Sequence, residues 1–484
     1  MAIAAGVLVA LSLPPFGWWP LGVVGVGAFA AVLPGRGPLA RTFLGAMLGL
    51  GQYGIGLWWV GEFNQGGYVA LLLLAMLFTA VAAVAVPARR PAGVLVGLPA
   101  ALMVTDWIRG HFPFGGLPLG GIPLGQAAGP LVPVARLGGP LLVTGVTAAM
   151  GAALAVVGGA LVGRCGRVRM RQAFGGVVGL AVLLALVVVG RFGPDGSGGG
   201  PEQTITVAAV QGGGPRGLHQ SQVDPSVAFQ RQLAASLSLH PPLALVVWPE
   251  DVISVEQPID QTPEAVTMGQ LARSLRATVV AGVVEDVGAT QFRNAAVAWS
   301  PQGVIVARYD KVHRVPFGEY IPDRSFFEHL ANLDLVPRDA IAGHGPGLLD
   351  TPAAPLGTVI SYEVFFEDRG RSAIGAGGEL LIVPTNASSY ATSQVPTQEV
   401  AAAQLQAWAT GRDVVQAAPT GYSALIDHDG HILRRSTLGH QQALTGVLTL
   451  RTGRTIFVRV GDLPVLAIAA VALVASAVLE RRHR

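Results

Sequence analysis

The chain is poor in three kinds of residue that soluble and secreted proteins normally carry. Only 13% of its 484 residues are charged, it has one cysteine, and 31 of its 32 basic residues are arginine, which leaves Lys311 as the only lysine. A single cysteine excludes an intrachain disulfide and a cysteine-based zinc site. The net charge of +3 is mild, and the sequence has no basic stripe of the kind that binds nucleic acid.

Apolar residues are plentiful instead. Hydrophobic residues make up 51% of the chain and the mean hydropathy is +0.52, values typical of a protein with membrane spans. Eight apolar runs approach or reach the length that crosses a bilayer, and they lie at 1–13, 19–34, 40–60, 67–86, 92–108, 138–162, 173–191 and 463–480. We therefore predict a polytopic α-helical membrane domain with about eight spans.

The placement of arginine predicts how these spans are oriented. Arginines cluster after spans two, four, six and eight, at 36–41, 89–90, 164–171 and 481–484. Positively charged loops face the cytoplasm, so all four clusters agree if the N-terminus is cytoplasmic. The prediction places the C-terminus in the cytoplasm and residues 192–462 outside it. Cys165 then lies in a cytoplasmic basic loop, where we interpret it as an incidental residue.

Residues 192–462 have a different composition. A linker at 192–203 precedes short apolar strands that alternate with polar helical stretches, the pattern of a layered α/β domain. Strands are expected at 204–211, 243–250, 277–286, 294–300, 303–308, 357–362, 379–385, 413–418 and 423–427, with helices near 225–238, 262–275, 366–376 and 396–411. The turns "SPQGV" and "DHDGH" predict two hairpins. The predicted division is a membrane domain at 1–191, the linker, a catalytic domain at 204–462, and a last span with a basic tail at 463–484.

Polar side chains follow three of the predicted strands. They are Glu250 in "WPE", Lys311 after "GVIVARYD", and Ser361 in "SYE". Sites form at the carboxyl ends of strands in α/β sheets, although each residue alone also fits a cap, a solvated charge or a hydrogen-bonded hydroxyl. The lone lysine favours function, because a compact ammonium can contact a carboxylate and a developing oxyanion at once, which a planar guanidinium does less well.

The three segments "WPE", "DKVHRVPFGEYIP" and "SYE" resemble, in order and spacing, the catalytic segments of the nitrilase (carbon–nitrogen hydrolase) superfamily. Seven spans, such a domain and one final span are similar to the layout of the bacterial apolipoprotein N-acyltransferase family, as is "DWIRG" at 106–110. The resemblance implies an αββα sandwich and a multi-pass location in the bacterial cell (inner) membrane, with the catalytic domain extracytoplasmic.

The family uses a Glu–Lys–Cys triad. The resemblance therefore implies Glu250 as general base, Lys311 as the ammonium that stabilises the oxyanion, and residue 361 as nucleophile. Here the nucleophile is Ser361, whose hydroxyl stays protonated near pH 7 and needs a base, whereas a thiol ionises with a pKa of about 8.5. Further site residues implied by the resemblance are Glu319, Glu363, Tyr362, Asn294 and Asn386. No metal and no cofactor are implied.

The implied reaction transfers an acyl chain from a phospholipid donor to a diacylated apolipoprotein through an acyl-enzyme at the lipid bilayer. An alternative is a catalytically impaired scaffold that anchors a partner enzyme, such as a glycosyltransferase. Ser361 motivates it, as do two tryptophans expected from the family but missing near 211–222 and at Ser389. The presence of all four charged residues that the resemblance assigns to the site argues against this alternative, because burying ions is costly in free energy and a scaffold would gain nothing from them. An amidase acting on a soluble substrate would leave the spans unexplained.

Overall fold

The computed structural model describes residues 1–162, 167–214, 225–329, 333, 336–387 and 394–482. These residues form two compact units, one made of residues 1–194 and 459–484 and the other of residues 195–458. Cys165, Ser389 and residues 215–222 lie outside the described residues.

The first unit is helical, and a helix overlaps each of the eight predicted apolar runs. The helices are α1 (Ala2–Ser12), α2 (Trp19–Val32), α3 (Pro38–Gly56), α4 (Val60–Phe63), α5 (Gln65–Ala85), α6 (Pro91–Arg109), α7 (Ala135–Val162), α8 (Arg167–Phe192) and, after the second unit, α15 (Leu463–Arg482). Four segments of the described chain are long and apolar enough to cross a membrane: Gln65–Ala85, Val132–Ala160, Phe174–Phe192 and Leu463–Arg481. Helices α1 and α2 are apolar but shorter, so the count of eight spans stays a prediction.

Small residues let the helices of this unit approach closely. A Cβ atom added to Gly27 in α2 would lie 2.8 Å from the carbonyl oxygen of Gly151 in α7, and one added to Gly151 would lie 2.6 Å from the carbonyl oxygen of Val23. Such backbone-to-backbone packing is how apolar helices associate by van der Waals contact. A larger residue at either glycine would force α2 and α7 apart.

The second unit contains two β-sheets. Its strands are β1 (Gln203–Gln211), β2 (Leu245–Val247), β3 (Ile253–Val255), β4 (Thr278–Val287), β5 (Gln291–Trp299), β6 (Ile305–Asp310), β7 (Asp339–Ala340), β8 (Leu348–Asp350), β9 (Pro355–Thr358), β10 (Leu380–Pro384), β11 (Val414–Ala417), β12 (Ala424–Ile426), β13 (Ile432–Arg435) and β14 (Gln442–Leu450). The eight-stranded sheet has the order β14-β1-β2-β4-β5-β6, with β3 beside β4 and β7 beside β5. The six-stranded sheet has the order β13-β12-β11-β10-β9-β8.

The two sheets pack face to face and helices cover their outer faces. One buried apolar cluster joins side chains of both sheets, among them Val247, Val280, Ile382 and Val415. A second cluster packs α9 (Pro225–Ser236) and α10 (Pro263–Leu275) against the eight-stranded sheet. Helices α12 (Glu367–Gly375) and α13 (Val395–Thr410) contact the six-stranded sheet. The short helices α11 (Arg324–Phe327) and α14 (Ile456–Val460) complete the list. The order of layers is α, β, β, α.

The two predicted hairpins are present. Strands β5 and β6 pair antiparallel around "SPQGV", and β12 and β13 pair antiparallel around "DHDGH". Such two-strand connections follow from turn residues that are local in sequence, which is why the sequence predicts them.

The strand predicted over 357–362 is wrong in its second half. Strand β9 ends at Thr358, and Ser361–Phe365 forms a 3₁₀ turn. The backbone turns because Ser361 has a φ of +50°, in the left-handed region, while the Glu363 carboxylate accepts the N–H of Ile360 at 2.9 Å. The sequence prediction also lacked β14, which pairs with β1 along its whole length and is mostly half-exposed.

Candidate active site

Two charged residues lie at strand ends of the eight-stranded sheet. Glu250 follows β2 and Lys311 follows β6 directly. The Lys311 N–H donates to the carbonyl oxygen of Asn294 at 2.8 Å, and the Gly343 N–H donates to that of Lys311 at 2.8 Å. A Cβ atom on Gly282 in β4 would lie 2.4 Å from Cα of Glu250, so only glycine allows this approach. Backbone contacts within the sheet therefore fix the positions from which Glu250 and Lys311 extend their side chains.

One ammonium group holds two carboxylates at the centre of the site. Nζ of Lys311 lies 2.8 Å from Oε1 of Glu250 and 2.8 Å from Oε1 of Glu319. The amide nitrogen of Asn294 donates to the same two oxygens, at 2.8 Å and 3.0 Å. Lys311 is 2% exposed and Glu250 is 4% exposed, so these charges depend on one another. Four residues predicted from the sequence meet in this cluster.

Burial and charge set the proton affinities of this cluster. Burial lowers the pKa of Lys311, but the carboxylates of Glu250 and Glu319 outweigh burial and hold that pKa above its usual range. Burial raises the pKa of Glu250, Lys311 lowers it in part, and Glu319 raises it further. The ammonium therefore stays charged, while the raised pKa of Glu250 makes it hold a proton more firmly than an exposed carboxyl group does.

The predicted supporting residue Glu363 joins the lysine segment to the serine segment. Its Oε1 accepts the N–H groups of Val312 at 2.8 Å and His313 at 3.0 Å, and its Oε2 accepts the N–H of Ile360 at 2.9 Å. Its side chain is fully buried. A carboxylate that accepts several backbone N–H groups fixes the segments that donate them. Glu363 thus positions residues on both sides of the site.

Tyr309 and Arg369 hold Glu363 in place. The Tyr309 hydroxyl donates to the carboxylate of Glu363, at 2.8 Å and 3.0 Å from its two oxygens, and Arg369 donates to the Tyr309 hydroxyl at 2.8 Å. Burial and the neighbouring Glu363 carboxylate raise the pKa of Tyr309, so the hydroxyl keeps its proton and donates. Neither Tyr309 nor Arg369 was among the residues predicted from the sequence.

Ser361 begins the turn after β9 and is 8% exposed. Its left-handed backbone costs about 1–3 kcal/mol for a residue other than glycine, and such strain is common where a nucleophile sits on a sharp turn. Its Oγ lies 3.4 Å from Oγ1 of Thr385, and Thr385 Oγ1 lies 2.7 Å from Oε1 of Glu399. Thr385 and Glu399 are both buried.

Asn386 and Tyr362 take different places around the site. Nδ2 of Asn386 makes a long contact of 3.5 Å with Oδ2 of Asp251, the residue after Glu250. Burial, followed by the charges of Glu250 and Glu319, raises the pKa of Asp251 to about 7. The Tyr362 ring packs edge-on against Phe366 with a centroid distance of 5.0 Å.

Thr385 and Glu399 were not predicted from the sequence, although both carried a signal. Thr385 directly follows the apolar strand β10, next to Asn386, as the other site residues follow their strands. Glu399 is the only charged residue in the sixteen residues of α13. A single charge on a buried helix indicates a functional or paired group.

Within the described ranges, no group of three or more histidine, cysteine, aspartate and glutamate residues is arranged to hold a metal ion. The polar groups of the lysine cluster and of the Thr385–Glu399 pair are a hydroxyl, carboxyl groups, an amide and an ammonium, which suit proton transfer and oxyanion stabilisation.

Family models match both units. The model described as apolipoprotein N-acyltransferase N-terminal domain matches residues 5–153, and the one described as carbon–nitrogen hydrolase matches residues 206–455. The latter match, together with the two packed sheets, confirms the predicted nitrilase-like α/β domain.

Relatives align with nearly the whole chain. The apolipoprotein N-acyltransferase of Mycolicibacterium smegmatis is 30% identical over 506 aligned residues, which cover 99% of this chain and 84% of the relative. That of Geobacter metallireducens is 28% identical and covers 100% of this chain and 95% of the relative. Among solved structures, Nit3 of Saccharomyces cerevisiae, a nitrilase-superfamily member, is 18% identical with a TM-score of 0.37 and covers 51% of this chain and 90% of its own.

Proposed function

Because the chain belongs to the apolipoprotein N-acyltransferase family, we propose that it transfers an acyl chain from a phospholipid to the N-terminal amine of a diacylglyceryl-cysteine lipoprotein, with Ser361 as nucleophile. The family predicted from the three sequence motifs and the layout of apolar runs is confirmed, and with it the class of enzyme, an acyltransferase. The role of Ser361 as nucleophile and the roles of the other site residues are part of the proposal. Nothing in the comparisons supports a partner glycosyltransferase.

The first half-reaction acylates the enzyme. Oγ of Ser361 attacks the ester carbonyl carbon while its proton passes to a second buried carboxylate of the site, distinct from Glu250, which is still protonated. A tetrahedral intermediate forms, whose oxyanion lies against the Lys311 ammonium. One such donor contributes about 3–4 kcal/mol in comparable sites. The intermediate then expels the alkoxide of the lysophospholipid, which takes a proton from Glu250. The raised pKa of Glu250 supports this acid role.

The second half-reaction transfers the acyl group. The free amine of the lipoprotein attacks the acyl-serine ester, and Glu250, now ionised, takes a proton from the amine as general base. The new amide bond forms, the ester bond to Ser361 breaks, and the serine oxygen recovers its proton from the second carboxylate, which took it during acylation. An oxygen ester is less activated than a thioester, so we expect slower transfer than with a cysteine nucleophile.

A single observation carries the proposal. The only lysine of the chain places Nζ 2.8 Å from both Glu250 and Glu319 inside a buried cluster. A buried ammonium held this tightly between a buried carboxyl group and a partly buried one is costly unless it serves a function. An ammonium fixed between two carboxyl groups is preorganised to receive negative charge that develops next to it.

The membrane arrangement is also proposed. We propose eight spans, with residues 1–191 as the membrane domain, 192–203 as linker, 204–462 as an extracytoplasmic catalytic domain in the bacterial cell (inner) membrane, and 463–484 as last span and cytoplasmic tail. Arginine placement and the apolar helices support this arrangement. Both substrates keep their acyl chains in the bilayer, so a membrane-bound enzyme gains proximity without extracting lipid into water.

An acyl-transfer assay tests the proposed function. The purified protein in proteoliposomes receives a phospholipid with a labelled acyl chain and a synthetic diacylated lipopeptide. We expect labelled amide with the wild type and none with Ser361→Ala. The matched control is Ser274→Ala, an exposed serine on α10, which should keep full transfer. Transfer that is unchanged in Ser361→Ala would rule out the serine mechanism.

A further inference from the structure

The hydrogen bonds around Ser361 lead away from the lysine cluster. Among the described residues, the polar side chain within hydrogen-bond distance of Ser361 Oγ is that of Thr385, at 3.4 Å, and Thr385 in turn lies 2.7 Å from Oε1 of Glu399. The side chains of Lys311, Asn294 and Glu319 contact one another and Glu250 instead. Ser361 therefore has a carboxyl partner of its own, reached through one hydroxyl.

The donor order along this path follows from counting protons. Thr385 has a single hydroxyl proton, and the shorter contact, to Glu399, is the one in which it donates. Its oxygen keeps lone pairs that can accept the Ser361 proton at the longer contact. The path therefore runs from Ser361 O–H to Thr385 O–H to the Glu399 carboxyl group.

Glu399 is placed to receive a proton. It is 4% exposed, and its Oε2 has no hydrogen-bond partner among the described residues. A structural carboxylate at such depth would normally have an ammonium or several N–H donors, as Glu363 has. Two charged residues that follow neighbouring strands act on the pKa of Glu399: Glu250 raises it and Lys311 lowers it.

We propose that Thr385 and Glu399 form a proton relay that takes the proton of Ser361 as the serine attacks. The inference rests on the proposed function, because it needs Ser361 as the nucleophile. Thr385 and Glu399 act on the substrate only through Ser361, so in this proposal they support the nucleophile and do not react themselves with the acyl group. Because the relay takes the Ser361 proton, Glu250 transfers only the protons of the substrates, to the departing alcohol and from the attacking amine.

The protons balance over the cycle. During acylation the Ser361 proton moves to Thr385 as the Thr385 proton moves to Glu399, and the departing alcohol takes its proton from Glu250. During transfer the amine gives a proton to Glu250, and Glu399 returns its proton through Thr385 to the oxygen of Ser361 as the ester bond breaks. Each carboxyl group ends in the state in which it began.

A serine has more need of this relay than a cysteine. A thiol beside an ammonium ionises by itself, whereas a hydroxyl must lose its proton during attack. The relay requires ionised Glu399, and burial raises the pKa of Glu399 to about 8. Acylation should therefore accelerate as the pH rises toward about 8.

The test is the pre-steady-state rate of acylation of the full-length protein in proteoliposomes, with a fluorogenic phospholipid ester as probe, from pH 6 to pH 9. In the wild type we expect the rate to rise from pH 6 toward about pH 8 as Glu399 ionises, over the range in which Glu250 keeps its proton. Glu399→Gln should lower the rate about 100-fold at pH 8 and remove this rise. Thr385→Val should behave in the same way, and Thr385→Ser, which restores the hydroxyl, should recover the rate to within about threefold.

A second nucleophile separates the relay from a structural role. In a Ser361→Cys background, Glu399→Gln should change acylation less than about threefold, because a thiolate needs no relay. A merely structural defect would lower the rate equally in both backgrounds and would overturn the inference. So would wild-type acylation rates in Glu399→Gln. Absence of any acyl adduct on wild-type Ser361 would instead overturn the proposed function, which keeps the two failures distinguishable.

Discussion

Glu250 and Glu399 are two buried carboxyl groups of the same site, and their surroundings differ. Glu250 follows strand β2 of the eight-stranded sheet, and one of its oxygens accepts hydrogen bonds from both an ammonium and an amide at 2.8 Å. Glu399 lies on α13 beside the six-stranded sheet and accepts one hydroxyl at 2.7 Å. Two carboxyl groups whose environments differ in this way can take different proton-transfer roles.

The difference teaches how a hydroxyl can replace a thiol at position 361. In the proposed mechanism the lysine cluster supplies fixed charge for the oxyanion, whichever atom attacks. In the same proposal the threonine–glutamate pair supplies a proton acceptor, which matters only when the attacking atom belongs to a weak acid. We call the lysine cluster the fixed side of the site, and Thr385 with Glu399 the titrating side.

The largest effect is expected from Lys311→Arg. A planar guanidinium cannot place one compact charge 2.8 Å from both Glu250 and Glu319 and also meet an oxyanion. We expect acyl transfer to fall about 10²–10³-fold, measured as kcat with labelled phospholipid. The matched control is Arg308→Lys, three residues upstream in a partly exposed pair with Glu285, which should keep most activity. Transfer within tenfold of wild type in Lys311→Arg would show that the ammonium is replaceable.

A smaller effect is expected from Glu363→Gln. The glutamine offers one oxygen where three backbone N–H groups and a tyrosine hydroxyl now donate to two. The unmet donors should lower the free energy of unfolding by about 1–3 kcal/mol and slow acylation roughly tenfold. Thermal unfolding in detergent and burst-phase acylation measure the two effects. Unchanged values for both would mean that Glu363 does not join the two segments.

Much of the fixed side could be predicted from the sequence. Glu250, Lys311 and Ser361 each follow an apolar strand, and the lone lysine stands out in an arginine-rich chain. Sheet topology then brings the ends of these strands together. A pattern that is local in the sequence therefore predicts a cluster of residues that are far apart along the chain.

The titrating side could not be predicted in the same way. Glu399 lies in the middle of a helix, thirty-eight residues after Ser361, and its link to the serine exists only through tertiary contact with Thr385. The 3₁₀ turn at Ser361 was also missed, because its left-handed backbone depends on the buried Glu363 carboxylate and not on a glycine or proline signal. Strand β14 was missed because its identity depends on pairing with β1, more than two hundred residues earlier.

The smallest effect concerns stability. Burial raises the pKa of Glu399 to about 8 from 4.5, so the folded protein holds a proton that the unfolded chain releases. This contribution to stability is therefore fully present below pH 4.5 and is lost as the pH rises toward about 8. Glu399→Gln should remove this part of the pH dependence, so the variant should lose less stability than wild type between pH 6 and pH 9. The unfolding temperature in detergent measures it, and parallel pH curves for the two proteins would contradict the raised pKa.

Mass spectrometry of the intact protein and its peptides after incubation with phospholipid alone tests the central claim most directly. The account predicts an added acyl mass on the peptide that contains Ser361, removed when a diacylated lipopeptide is added and absent in Ser361→Ala. An acyl group on another residue, or transfer to the lipopeptide with no acyl-enzyme at any time, would contradict it.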